Sequence, residues 1–150
     1  MQSILIHIHS GLRWIALVLL LITIVKSFSG WFGNKPYTAL DKKLSLFTLI
    51  SIHSQLLIGF WLYADYVMTP GFDFGASMKI PMMRFFSVEH ITGMLVAITI
   101  FTIGYIKAKK AGTDKSKFKT IAIFFTIALI IILAMIPWPC MEKFAGMKWF

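Results

Sequence analysis

Four long apolar runs separated by short polar segments constrain this chain more than any other feature. They cover about residues 3–25, 44–64, 85–106 and 120–136. A helix rising 1.5 Å per residue needs roughly 20 apolar residues to cross the hydrocarbon layer of a bilayer, and each run is near that length. Of the 150 residues, 58% are hydrophobic and 14% charged. A soluble domain of this size could not bury so much apolar surface, so the bilayer is the solvent that the composition implies. The length leaves room for four spans and short loops, and for no separate soluble domain. The expected fold is all-α, an integral membrane up-down four-helix bundle.

The charges agree with that reading. The net charge is +9, but the lysines sit between the apolar runs. Loop 1 carries Lys26, Lys35, Lys42 and Lys43 against Asp41, with Gly30, Gly33, Asn34 and Pro36 as expected breakers. Loop 3 carries Lys107, Lys109, Lys110, Lys115, Lys117 and Lys119 against Asp114. In loop 2, Asp65 and Asp73 nearly cancel Lys79 and Arg84. Basic loops stay in the cytoplasm, which puts loops 1 and 3 inside and both termini outside. The same lysines point to contact with anionic lipid in the bilayer, not to nucleic acid. A single cysteine, Cys140, allows neither an internal disulfide nor a CxxC motif. The opening segment MQSILIHIHSGLRW has no leading positive charge and is read as a retained span.

Ionisable residues inside spans are costly and mark cofactor sites, proton paths or buried ion pairs. Span 1 holds His9 and Arg13, span 2 holds His53, and span 3 opens with Glu89 and His90. Counted inward from the outer ends, His9 lies about 9 Å deep, His90 about 7 Å and His53 about 16 Å. Spans 1 and 3 run the same way, so both their histidines lean outward, whereas His53 leans inward. In an up-down bundle spans 1 and 3 are diagonal, which leaves a gap with one imidazole on either side. His9 and His90 are therefore the matched pair, with His53 an outer partner or an alternative ligand. Gly93, on the His90 face, would let a flat ring approach the helix. Arg13 would pair with Glu89 or hold a propionate. His7 points nearly opposite to His9. Ser51, Ser54 and Gln55 read as helix-joining polar groups, and the scattered methionines as packing.

Two imidazoles at similar depth in an apolar site are what a bis-histidine haem b requires, with iron as the metal. Its expected work is one-electron transfer, with quinol or an envelope redox protein as partner. Zinc or copper catalysis would call for three or four clustered ligands. An ion transporter would more usually show carboxylates deep in several spans. The bland reading is a haem-free subunit or accessory factor of a larger envelope complex, with the histidines as polar contacts between helices. Bare apolar faces would also suit self-association or contact with other membrane subunits.

The segments HSGLRW at 9–14, HSQLLIGFWLY at 53–63, FFSVEHITGM at 85–94 and IPWP at 136–139 resemble a family of small four-span bacterial membrane proteins. That family is commonly labelled cytochrome b or cytochrome b-like. The resemblance covers nearly the whole chain. It implies a four-helix architecture and a haem assignment for His9, His53 and His90. It also implies the bacterial inner membrane, where both termini would be periplasmic. Larger b-type cytochromes often hold two haems on four ligands; span 4 offers none, so a single haem is expected.

Overall fold

The computed structural model describes residues 2–144. Among these residues the chain is entirely helical, apart from turns and connections, and has no strand. Helix α1 runs Gln2–Phe32 and α2 Ala39–Val67. Two short helices follow, α3 at Phe74–Lys79 and α4 at Pro81–Arg84. A π-helical turn at Phe85–Glu89 leads into α5, His90–Lys110, and α6 spans Asp114–Ala134. A 3-10 turn at Glu142–Phe144 closes the described chain. Four stretches are long and apolar enough to cross a membrane: Ser3–Phe32, Ala39–Val67, Pro81–Lys110 and Asp114–Ala134.

The helices overrun the apolar segments at the lysine-rich end because local capping, not hydropathy, decides where they stop. Gly30 does not break α1; it lies inside the helix, where a missing side chain lets the Phe118 ring rest against the backbone. The helix ends a turn later, at Asn34, whose φ of 48° is left-handed. There Gly33 N–H donates to the Ser29 carbonyl at 3.0 Å and Lys35 N–H to the Gly30 carbonyl at 3.1 Å. Helix α2 begins with a capping box: Asp41 N–H donates to Thr38 Oγ1, and Thr38 N–H donates back to the Asp41 carboxylate. Thr113 caps α6 by accepting from Ser116 N–H. Loop 2, which reads as irregular from its glycines and prolines, holds α3 and α4. Asp73 caps α3 through Gly75 N–H and Ala76 N–H, and Pro81 opens α4.

Packing follows the short connections. Helix α1 lies against α2 and α6, α5 lies against α6, and α2 meets α5 along a thinner seam. Helices α1 and α5 are diagonal, and their backbones do not come within 8 Å (Cα–Cα) of one another. The tightest seam is α5–α6. On α5, Ala97, Phe101, Gly104 and Ala108 form one buried stripe. It meets Phe118, Ile121, Ala122, Phe125 and Ala128 of α6. Phe101 and Phe125 stack with centroids 4.0 Å apart, and both are fully buried. Between α1 and α2, Thr23 Oγ1 and Thr48 Oγ1 share a buried hydrogen bond of 2.8 Å. Each hydroxyl also lies within bonding distance of a carbonyl one turn back in its own helix, so neither is stranded.

The lysine-rich half of the bundle is thus closed by aromatic stacking and small-residue contacts. A side chain added at Gly104 would run into Phe124. Gly104→Ala should therefore lower stability by about 1–3 kcal/mol, the usual cost of overfilling a packed seam. Gly11→Ala, which meets open space, should leave stability unchanged or slightly higher. Thermal unfolding of the two variants in one mild detergent checks the contrast.

Candidate functional site

The opposite half of the bundle is hollow. A cavity of about 430 Å³ lies between the diagonal helices, within the roughly 300–1,000 Å³ range of small-molecule and cofactor sites. Ala16, Leu20, Ile52 and Ile98, all buried, form its floor. Leu17, Leu56, Met94 and Ile132 are among its apolar walls, and Tyr63, Tyr66, Phe86 and Pro137 stand nearer the helix ends. The polar side chains turned into it are few. They include His9, Ser10 and Arg13 from α1, Gln55 from α2 and His90 from α5.

His90 is held in a defined state. Its Nδ1 lies 2.7 Å from the Met135 carbonyl oxygen. A carbonyl can only accept, so Nδ1 carries the proton and Nε2 is left with its lone pair. Met135 caps the end of α6, where the last carbonyls of a helix have no partner within it. Pro137 and Pro139 have no N–H to offer to the carbonyls four residues before them, those of Leu133 and Met135. Side chains take over that role: His90 binds the Met135 carbonyl, and Trp138 Nε1–H donates to the Leu133 carbonyl at 2.8 Å. The IPWP segment thus ends α6 and leaves a backbone acceptor facing α5.

Gly93 makes this meeting possible. The space its side chain would fill is taken by the Met135 side chain. The glycine does not line the cavity, so the close approach expected of a ring at Gly93 is an approach of α6 instead. Gln55 ties α2 to α1 by donating from Nε2 to the His9 carbonyl at 2.9 Å. Gly59 lies beside His9, and a Cβ there would come within 3.3 Å of His9 Cε1.

Glu89 does not reach Arg13. It accepts from Arg84 Nε at 2.8 Å. The physical reason is the π turn, in which residues five apart come onto one face, as Arg84 and Glu89 are. Arg13 is left lining the cavity with its guanidinium 5.4 Å from the Trp14 ring and no carboxylate in an ion pair among the described residues. The guanidinium and the two cavity imidazoles lie within electrostatic reach of one another.

His53 is elsewhere. Its Nδ1 binds the Leu49 carbonyl at 2.9 Å, one turn back in α2, and its Nε2 meets Thr102 Oγ1 of α5 at 3.4 Å. It does not line the cavity. His7 is exposed on the outer face of α1. The α2–α5 seam carries a second polar tie, from the Tyr63 hydroxyl to the Ser87 carbonyl at 3.0 Å, in the middle of the π turn.

The donor set can be compared with the group that two imidazoles imply. Among the described residues no three histidine, cysteine, aspartate or glutamate side chains gather, whereas a bis-histidine haem needs only two. Three buried atoms around the cavity have no hydrogen-bond partner among the described residues: His9 Nδ1, Arg13 Nε and Gln55 Oε1. Unmatched polar groups in an apolar pocket are what a bound group with its own polar atoms would answer. The residues present fit a haem.

Sequence reasoning missed the Met135 carbonyl, Gly59 and the cavity-lining Tyr63 and Tyr66. The carbonyl had one signal, Pro139 four residues past it; the others had none. Gly93→Leu should push Met135 away and break the bond that fixes His90. Infrared or NMR detection of the His90 tautomer would then show a mixture of forms, with helix content unchanged. No family model, no curated protein and no solved structure matches this chain.

Proposed function

We propose that this chain is an integral membrane four-helix bundle that binds one haem b between His9 and His90 and carries single electrons. One observation bears most of this reading: two imidazoles from diagonal helices line the same apolar cavity, while the deeper histidine is engaged with Leu49 and Thr102. His90 offers Nε2 because the Met135 carbonyl holds its Nδ1 proton, the arrangement by which metal-ligating histidines are usually oriented. His9 offers the opposing ring from α1. Arg13, with no carboxylate in an ion pair among the described residues, supplies the cation that a propionate would require. The walls of the site are mostly apolar. A bound haem would supply a one-electron couple, and ligation from both sides would reserve it for transfer instead of substrate binding.

In this reading the basic loops lie in the cytoplasm of a bacterial cell and the haem sits in the periplasmic half of the inner membrane. The electron donor or acceptor is then quinol from the bilayer or an envelope redox protein. We propose likewise that the chain belongs to the cytochrome b-like family that its segments resemble. A second reading, a haem-free subunit of an envelope complex, is favoured by the polar ties that join helices: His53–Thr102, Thr23–Thr48 and Gln55 to the His9 carbonyl.

A reduced-minus-oxidised spectrum of the protein in mild detergent, with a pyridine haemochrome assay, separates the two. Sharp α and Soret bands at about one haem per chain are expected. His9→Ala and His90→Ala should each abolish them, and His53→Ala should leave most of the signal. A colourless protein from cells that make haem overturns the proposal. Loss of the bands in His53→Ala alone overturns the ligand assignment. Arg13→Ala should retain haem and lower its midpoint potential by on the order of tens of millivolts, because a nearby cation favours the reduced form.

A further inference from the structure

We infer that the lysine-rich end of the bundle holds a specific site for an anionic phospholipid, in the groove where α1 passes into α2. The groove is open and encloses about 570 Å³. Its basic groups are Lys26 and Lys35, and its apolar lining includes Val25, Leu40 and Phe118. This site lies at the other end of the molecule from the histidine cavity and does not depend on what that cavity binds.

The charge of the groove favours an anion. Asp41 also lines the groove, and its carboxylate would repel a phosphodiester if it were free. It is not: it accepts from Thr38 N at 2.9 Å, from Thr38 Oγ1 at 2.6 Å and from Lys26 Nζ at 3.0 Å. Lys26 keeps two further N–H groups, and its side chain is 40% exposed. Lys35 reaches back across the turn to Ser29 Oγ at 2.9 Å, which holds its exposed ammonium at the groove. Two cations against one saturated carboxylate leave the groove positive. Lys42 and Lys43, exposed on the first turn of α2, add to the field.

The shape of the surface beside the groove favours an acyl chain. From the groove an apolar stripe runs along the outside of α1 through Val25, Leu21 and Val18, which are 60%, 53% and 54% exposed. Residues three and four apart share one helix face, so this stripe is continuous and about 10 Å long. A headgroup phosphate on Lys26 and Lys35 would lay its acyl chain along that stripe. A free phosphate would gain the charges but leave the stripe unused, and a zwitterionic lipid would gain the stripe but bring its own cation to the lysines. Basic pockets beside membrane helices take anionic headgroups in this way. The occupant is therefore a phospholipid with net negative charge.

Native mass spectrometry of the full chain, released from mild detergent, tests this with phosphatidylglycerol, phosphatidylcholine and inorganic phosphate as separate probes. Phosphatidylglycerol should bind in preference to both others. Lys35→Gln should weaken it about fivefold, the usual contribution of one lysine near an anionic headgroup. Lys109→Gln, the same charge loss at the end of the diagonal helix α5, should leave it unchanged. Both lysines are exposed, and equal melting temperatures for wild type and variants would show that folding is intact. Equal weakening by the two variants would mean diffuse attraction and overturn the site. Equal binding of phosphatidylcholine, or displacement of the lipid by millimolar phosphate, would overturn the ligand.

Discussion

The contact between His90 Nδ1 and the Met135 carbonyl organises the hollow half of this protein. It joins the beginning of α5 to the end of α6, two points that the sequence separates by 45 residues. Around it, each nearby feature has a definite task. Pro139 withholds the N–H that a continuing helix would bring to the Met135 carbonyl. Gly93 removes the side chain that would hold α6 away. The π turn delivers Glu89 to Arg84, so that no carboxylate from this segment enters the cavity beside His90. Remove the carbonyl and the imidazole is free to choose either tautomer; with it, Nε2 is a fixed acceptor.

The bundle divides its labour along its length. Its lysine-rich half is packed by Phe101 on Phe125, by Gly104 under Phe124 and by the shared Thr23–Thr48 hydrogen bond. That half supplies rigidity. The other half gives up contact between α1 and α5 and encloses a volume lined by few polar groups. A cavity of this kind costs the dispersion contacts that close packing would provide. The solid half makes the hollow half tolerable.

Much of this arrangement was legible in the residues. Helical rise gave His9 and His90 similar depths, and the reversed direction of α2 set His53 apart; both follow from periodicity alone. The charge of the loops and the apolar runs located the helices. The failures have a common cause. Gly30 looks like a breaker by type, but a glycine at a helix crossing looks the same, and only Phe118 tells them apart. Gly93 shares a face with His90, yet which object fills the space above it depends on where α6 ends. The reach of the Arg13 side chain offers it Glu89 or a propionate, and the π turn gives Glu89 to Arg84 instead. A backbone carbonyl such as that of Met135 carries no residue type at all. Sequence patterns report faces and depths; they do not report partners across a gap.

The π turn has one more consequence, for how this helix tolerates change in length. A π turn holds one residue more than an α turn, so Phe85–Glu89 carries a surplus residue inside an otherwise α-helical rod. Losing one residue there would leave a regular α turn, and because the π turn takes up its extra residue locally, the segments on either side would keep nearly their present faces. Phe85, fully buried against Phe144, and His90, held by α6, would then stay on their own sides of the span. What would change is the bulge itself, where the Ser87 carbonyl meets Tyr63. The surplus residue is therefore slack in one turn of the rod, used to bring a backbone carbonyl to α2 without disturbing what lies above or below it.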